Sequence, residues 1–587
     1  MFRILIHDQE YLKFEIYNTI TNNIENNINI NPISNKLFSL DVFNITENNN
    51  IELIKSPFRD NNSSTISGII ILQGNKTYGR ENNNNKSKLL YKCKPDDKSL
   101  PTFLIPYDFK QTNFSKSFNN KYVIFSFAYW NNKYPCGKLD QVIGDTNVNI
   151  NFFEYRLYCK NLIENNKKLK KSTSNLIQTP QQELINKIKS KFPLIIDRTN
   201  QQLYPIFSID PNSSTDFDDA FSIKYIEYNN KNIQQLSIYI SNVPIWLDTF
   251  DIWESMSNRV STIYLPNKKI PLLPPILSDT LCSLTQNTIS VAFAMDLLID
   301  VDANTIIDIT YSNCLINVYR NYCYEDKQLL VDLNYKCLFN ISKQLFQNSQ
   351  YKYINEINNS HDVVCYLMIL MNHQCSMQMV NNKNGIFRYT TASNINSNNT
   401  ITNENNNIPH ELLKLNAING ISGKYIEYNA SINENILLEH NTLKLNSYIH
   451  ITSPIRRIVD LLNLIKFQQN MNVQLSDNAI FFYDKWINNI TYINTTVKNI
   501  QKVQNECILL HECSLITHDM SISAFVFNKT IHSLDGFFKY DVYLPKFKLK
   551  TTLISQQNKN NYENVNVHII IYNKVLSFKK KIKLSII

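Results

Sequence analysis

The chain has 587 residues, 43% hydrophobic and 19% charged, with 59 Lys and Arg against 50 Asp and Glu for a net charge of +9. That length holds three or four domains, the apolar content excludes a disordered protein, and the mild basicity is compatible with polyanionic partners without requiring one. Eleven Cys with no Cys-x-x-Cys pair exclude a zinc ribbon and a disulfide framework; charge enters the N-terminus too early for a secretory signal, and no apolar run reaches membrane-spanning length, so a cytoplasmic, reducing setting without a membrane partner is expected.

Short β-like runs alternate with polar loops from the start: Phe2–Ile6, Phe14–Ile16, Leu37–Val42, Gly68–Leu72, Leu89–Tyr91, Thr102–Ile105 and Tyr122–Phe127. Strands at this spacing suit small OB-type barrels, and equally a β-sandwich. Only nine Gly occur, and Gly137 and Gly144 bracket Leu139–Ile143, which predicts a short strand between two tight turns. Asn tracts at Asn48–Asn50 and Asn82–Asn85 accompany abundant Lys, Ile and Tyr, all with A/T-rich codons, and read as compositional drift in loops. From Leu162 to Lys191 the pattern turns polar, with Lys167, Lys168, Lys170, Lys171, Lys187, Lys189 and Lys191. A solvated linker is expected there, with a phosphate-tracking strip as the alternative.

Asp210-Pro-Asn-Ser-Ser-Thr-Asp-Phe-Asp-Asp219 then places four carboxylates within ten positions, flanked by Ile206–Phe207 and Ala220–Ile223. Like charges that close raise one another's pKa and destabilise the fold unless a cation neutralises them, so the run implies a divalent metal site; a solvated Asx-rich turn is the alternative. An EF-hand loop is excluded, because its Gly and Glu positions hold Thr215 and Phe221. With no His or Cys alongside, hard oxygen ligands favour Mg²⁺ or Mn²⁺ over zinc, in the kind of carboxylate cage that supports phosphodiester cleavage. Asp210 must fold back across the Pro-Asn-Ser-Ser turn to join Asp216, Asp218 and Asp219.

Downstream, Leu236–Ser241 alternates as a strand, while Val363–Met379 and Asp460–Gln468 have helical apolar spacing on either side of an Asn/Thr/Ser loop at 394–407. Ser453-Pro454 reads as a helix start, which puts Arg456 and Arg457 in the first turn against the helix dipole. Such a pair makes sense if an anion such as phosphate sits at that end; the alternative is a structural pair of Arg456 or Arg457 with Asp460. Short strands return at Ile522–Phe527, Phe537–Leu544, Val565–Tyr572 and Lys581–Ile587, consistent with a C-terminal barrel.

Ile209-Asp-Pro-(four)-Asp-x-Asp-Asp219 followed by Tyr448-x-His-x-Thr-Ser-Pro-Ile-Arg-Arg457 resembles the RNB family: ribonuclease II, ribonuclease R and the catalytic subunit of the eukaryotic exosome. Thr262-Ile-Tyr-Leu-Pro-Asn-Lys-Lys-Ile-Pro-Leu-Leu-Pro274, Leu277-Ser-Asp-Thr-Leu-Cys-Ser-Leu284 and His440-x-x-Leu-x-Leu are similar to segments of that family, and Phe103–Asp108 and Tyr134–Gly144 resemble its second cold-shock barrel. The resemblance implies a mixed α/β RNB domain at 193–507, after a linker at 163–192, flanked by all-β OB-type barrels: two cold-shock-like ones at 1–74 and 75–162, and one at 508–587. It also implies processive 3′-to-5′ hydrolysis of single-stranded RNA to nucleoside 5′-monophosphates, by a monomer with Mg²⁺ or Mn²⁺ and no small-molecule cofactor.

Residue by residue, Asp210, Asp216, Asp218 and Asp219 match the family's acidic metal residues, Asp218 the one most critical for cleavage. Tyr264 falls at an aromatic that stacks on terminal bases, and Arg456 at the arginine that steadies the scissile phosphate. Arg457, Arg388 and Tyr448 complete the expected substrate-binding set. There are departures. Cys365 and Tyr366 stand where the family has an acidic pair on a helix, one member of which contacts ribose, and Gln501 or Gln504 stands near a bacterial Glu. A catalytically weak RNA-binding relative is therefore the competing expectation. No endonuclease domain is expected ahead of the barrels, and the composition suits a large DNA virus or an A/T-rich protist.

Overall fold

A computed structural model describes the chain except for residues 47–49, 60–64, 84–85, 109–117, 165, 229–230, 350–353, 355, 391–422, 429–437, 441–442, 516–519, 532–535 and 572–581. The loop expected at 394–407, parts of the Asn tracts at 48–50 and 82–85, and the expected strand ends Tyr572 and Lys581 lie outside the described residues. The chain divides into two units: Met1–Ile163 with Leu265–Asn267 and Lys502–Ile587, and Glu164–Tyr264 with Lys268–Gln501.

In the first unit, Phe2–Ile6 buries Ile4 and Ile6 by period-two alternation and pairs antiparallel in the sheet order Phe14–Asn18, Phe2–Ile6, Val42–Ile45, Ile51–Lys55. The expected strand Leu37–Val42 begins only at Val42. Leu40 takes φ of 69°, and the Asp41 carboxylate accepts the Phe38 N–H at 2.8 Å. The resulting turn drives Leu37 and Phe38 into the core, where Phe38 stacks on Phe103 with ring centroids 5.9 Å apart.

A second sheet runs Ile66–Ile70, Lys121–Tyr129, Cys136–Asp145, Phe103–Tyr107, Lys86–Pro95, Arg80–Asn83, and a further pairing of Ile66–Ile70 with Lys86–Pro95 closes its first five strands into a barrel. Ile66–Ile70 falls within the expected first barrel, 1–74, but its hydrogen bonds place it in the second. Gly137 and Gly144 do not make two tight turns either, because both lie inside the single strand Cys136–Asp145 at shifts of register. A Cβ at Gly137 would stand 2.7 Å from the Phe125 ring, and Gly144 takes φ of +150°. The C-terminal sheet is antiparallel in the order Leu549–Ser555, Phe538–Leu544, Met520–Ile531, Asn564–Ile571, Ile582–Ile586, around a core that includes Val526, Val542 and Val567.

The second unit is built on a mixed sheet in the order Ile196–Arg198, Thr305–Cys323, Ile206–Asp210, Asp219–Tyr228, Lys231–Ser241, Ile289–Asp300, with the last strand pairing back to Thr305–Cys323. Leu333–Asn348 and Ser360–Asn381 pack in the core that holds Phe207, Phe221 and Phe293. Val243–Thr249, Ile458–Asn470 and Asp477–Ile487 share a second core around Trp246.

The segment 163–192 is not an open linker. It forms the helices Lys167–Thr173 and Gln181–Lys191, whose Leu169, Leu184, Ile185 and Ile188 are buried in that second core. Apolar residues at helical spacing outweigh the lysines between them, which simply face outward. Among the described residues no helix is long and apolar enough to cross a membrane.

Candidate functional site

The acidic run becomes a site because two strands fix its ends. Asp210 is the last residue of Ile206–Asp210, in parallel register with Cys323, and Asp219 opens Asp219–Tyr228, in antiparallel register with Ile240. Between them the chain reverses at Pro211–Ser214, with Ser213 at φ of 75°. The loop is then fastened from outside: Ser283 Oγ accepts the Phe217 N–H at 2.9 Å and donates to the Thr215 carbonyl at 3.0 Å, and the Asp218 carbonyl accepts the Ser241 N–H at 2.8 Å. Ser283 belongs to the Leu-Cys-Ser-Leu motif, so that motif holds the acidic loop in place.

Three of the four carboxylates end up buried, Asp210 at 8%, Asp218 at 3% and Asp219 at 7% exposure. Burial pushes the Asp218 carboxyl up to about 7; Arg456 and the Ile455 N–H oppose the shift, while Asp219 and Asp216 add to it. Asp210 and Asp219 are both raised, by burial first; Ser208 opposes the rise of Asp210, whereas Asp219 is raised further by Asp210. Ser208, two residues before Asp210 on the same strand face, donates to its Oδ2 at 2.8 Å.

The second motif meets the first through Asp218. Its Oδ1 accepts the Ile455 N–H at 3.0 Å, and its Oδ2 lies 3.0 Å from Arg456 Nε. The helix expected to start at Ser453-Pro454 starts instead at Ile458, so Arg456 sits in the preceding turn and Arg457 at the N-cap. The Ser453 N–H is held by Asp460 Oδ1, which ties that turn back onto the helix. The two arginines divide the two expectations made for them. Arg457 is paired with Asp460 at 2.8 Å, the structural alternative, whereas Arg456 turns to the acidic cluster with a side chain still 45% exposed.

Tyr264 stands 40% exposed, and the charge of Arg456 acts on its hydroxyl. Its segment is tied to the arginine turn, since the Arg456 carbonyl accepts both the Thr262 N–H and the Ser261 hydroxyl at 2.9 Å. Arg388 is set apart from the carboxylates, with Nη1 3.4 Å from the Tyr425 hydroxyl. Tyr448 is not an open contact: it is 6% exposed, its hydroxyl accepts from Asn372 at 3.1 Å, and its ring packs on His440 and His450. Tyr366 is likewise core, edge-on to Phe346, whereas Cys365 is partly buried and its thiol is pushed up to about 11 by burial.

Two residues given no role in the sequence reading also belong here. The Tyr324 N–H donates to the Asp210 carbonyl at 3.1 Å, its ring stacks on His361 with centroids 3.7 Å apart, and Asp219 and Asp210 raise its hydroxyl pKa further after burial. Lys269 Nζ is 3.0 Å from Asp216 Oδ1. Ser208 could have been found from its two-residue spacing to Asp210; Tyr324 could not, because only strand pairing brings it there.

Among the described residues no three His, Cys, Asp or Glu side chains form a ready-made metal cage. Asp216 is paired with Lys269 and Asp218 with Arg456. The donor set still fits a hard divalent cation: it is all oxygen, burial raises the pKa of Asp210, Asp218 and Asp219, and Asp219 Oδ2 is buried without a hydrogen-bond partner.

Residues 198–338 match the RNB domain family model. Ribonuclease R of Mycoplasmopsis pulmonis is 32% identical over 147 residues, a match covering 24% of this chain and 20% of that relative. The aligned part is thus about one fifth of the relative's length. In fold, the chain is similar to Mycoplasma genitalium RNase R solved in complex with ribose methylated single-stranded RNA, with a TM-score of 0.66, 16% identity and full coverage of both chains. It is also similar to yeast Ssd1, a pseudonuclease, with a TM-score of 0.53 and 14% identity over 86% of this chain and 66% of that one.

Proposed function

We propose that this chain, whose residues 198–338 match the RNB domain family model, is an RNB-family processive 3′-to-5′ exoribonuclease releasing nucleoside 5′-monophosphates from single-stranded RNA. The observation that carries the proposal is the buried Asp210–Asp218–Asp219 cluster joined to a half-exposed Arg456. Single-stranded RNA is the ligand of the M. genitalium RNase R of like fold, which supports the substrate class.

Asp210, Asp218 and Asp219 would hold Mg²⁺ or Mn²⁺, which supplies Lewis acidity for hydrolysis when bound. Arg456, exposed on one side and braced by Asp218 on the other, neutralises charge that builds on the scissile phosphate. Its hydrogen bond from Nη2 to Ser453 Oγ at 3.0 Å limits how far the guanidinium can swing. Tyr264 offers a ring face to a terminal base, and stacking tolerates any base, as a degradative enzyme requires. Tyr324 lies at the backbone of Asp210, and Arg388, set apart from the carboxylates beside Tyr425, would be a further phosphate partner.

A second reading, an RNA-binding protein that cleaves weakly, is favoured by two observations: Cys365 and Tyr366 supply no carboxylate, and a pseudonuclease is similar in fold. Incubation of the purified protein with 5′-labelled single-stranded RNA and Mg²⁺ separates the two. Progressive shortening from the 3′ end is expected; full-length RNA that persists in a tight complex establishes the second reading.

A further inference from the structure

Neither motif contains Lys269, yet its ammonium is the most heavily engaged cation beside the acidic loop. It donates to Thr215 Oγ1 at 2.9 Å, Asp216 Oδ1 at 3.0 Å and Asp279 Oδ1 at 3.3 Å. Asp279 lies in the helical turn Ile276–Leu281 and is itself bound by Ser278 Oγ at 2.7 Å, so the lysine is gripped from two sides. Its side chain is 26% exposed and that of Asp216 only 10%, which makes this a partly desolvated pair rather than a surface one. Burial works against the lysine's charge, but its bonds to Asp216 and Asp279 outweigh it and hold the pKa above the ordinary lysine value.

The four carboxylates therefore fall into unlike classes. Asp216 already has a resident ammonium. Asp218 shares its charge with Arg456, a residue open to substrate. Asp210 and Asp219 have no cation of their own within the ion pairs of the described residues. A divalent ion drawn to Asp216 would sit within a few ångströms of an ammonium that Thr215 and Asp279 keep in place, and that repulsion declines only with the inverse of distance.

We propose that Lys269 is a positioning residue that occupies Asp216 as an internal cation, so that the resting site takes one divalent ion through Asp210, Asp218 and Asp219, and Asp216 becomes a ligand only when Lys269 is removed. This rests on the metal-site reading given above. Lys269 also follows Tyr264 by five positions, so the same contact ties the segment bearing the exposed ring to the acidic loop.

The test is a titration of the metal-free full chain with MnCl₂ in the absence of RNA, with free Mn²⁺ read by electron paramagnetic resonance. The wild type is compared with Lys269→Met, Lys269→Gln, Lys269→Arg and the double variant Lys269→Met/Asp216→Asn. One equivalent is expected for the wild type. The Met and Gln variants are expected to gain a second, bound on the order of tenfold or more tightly than any second equivalent in the wild type. Lys269→Arg restores the single equivalent, and Asp216→Asn removes the gained one. A lysine with a purely structural role would lower the melting temperature without adding a metal equivalent. Running Met and Gln together means that misfolding of one leaves the other to decide. Identical isotherms for the wild type and both neutral variants overturn the proposal and leave the metal site standing; absence of Mn²⁺ uptake in every protein overturns both.

Discussion

Two stretches of this chain are dense in like charge, Asp210–Asp219 and Lys167–Lys191, and the fold treats them in opposite ways. In the lysine stretch every Lys is exposed while Leu169, Leu184, Ile185 and Ile188 go inward. In the acidic stretch three of the four carboxylates go inward. The difference lies in what fixes the backbone. The lysines ride on helices whose apolar spacing chooses the buried face, so charge finds water at little cost. The aspartates are pinned at strand ends and by Ser283, so they stay inside, raised in pKa, and need a cation or protons. Charge density alone does not distinguish a site from a solvated face; the constraint on the backbone does.

The sharpest way to break this contrast is to neutralise one buried carboxylate. Asp218→Asn removes the brace on Arg456 and one oxygen donor together, and cleavage of single-stranded RNA is expected to fall on the order of a thousandfold while RNA affinity changes little. Degradation at the wild-type rate would show that the cluster is not the cutting site. In the other region the sensitive residues are the apolar ones. Leu184→Ala, at a side chain 1% exposed, is expected to cost about 2–5 kcal/mol in urea unfolding monitored by circular dichroism. A loss below about 0.5 kcal/mol would mean that this helix is not part of the core.

A subtler comparison uses pH. The Asp218 carboxyl is raised from 3.8 to about 7 in the folded state, so between those values the metal-free native protein binds more protons than the unfolded chain. Its stabilising contribution is complete below the unfolded pKa and declines as pH rises through the folded one. A divalent ion takes the place of those protons. Saturating Mg²⁺ is therefore expected to raise the melting temperature by several degrees near about pH 8 and much less near about pH 5. Equal shifts at both pH values would contradict a buried, proton-competing site, and Asp218→Asn should flatten the dependence.

How much of this was legible in the sequence follows the same division. Local signals were readable: the strand Phe2–Ile6 falls where alternation placed it, and helices cover Val363–Met379 and Asp460–Gln468. The acidic run was readable as asking for a cation and the arginine turn as asking for an anion, but only the family resemblance put the two in one site. What was hidden depended on distant pairing. The N-terminal strand boundary failed because Ile66–Ile70 finds its partners in Lys86–Pro95 and Lys121–Tyr129, which no local pattern reveals. Lys269 and Tyr324 were missed for the same reason, since one is brought to Asp216 across 53 positions and the other follows the strand that pairs with Ile206–Asp210. Leu549–Ser555 escaped because Lys550, Thr551 and Thr552 mask its alternation.

The smallest expected effect belongs to the lysines themselves. Replacing Lys167, Lys168, Lys170 and Lys171 with Gln leaves Leu169 and its packing untouched, so stability should move by less than about 0.5 kcal/mol. The informative quantity is the salt dependence of RNA binding. Each lysine that neutralises a phosphate contributes about 0.7 to the slope of log affinity against log salt for a single strand, so four engaged lysines would lower it by about 3 on replacement. These four side chains are exposed and spread over more than one face of a helix of seven residues. The slope is therefore expected to stay within about one unit of the wild type. A drop near the full value would show that this face follows the RNA backbone, and that the lysine region, like the acidic one, is a site and not merely the solvated side of a helix.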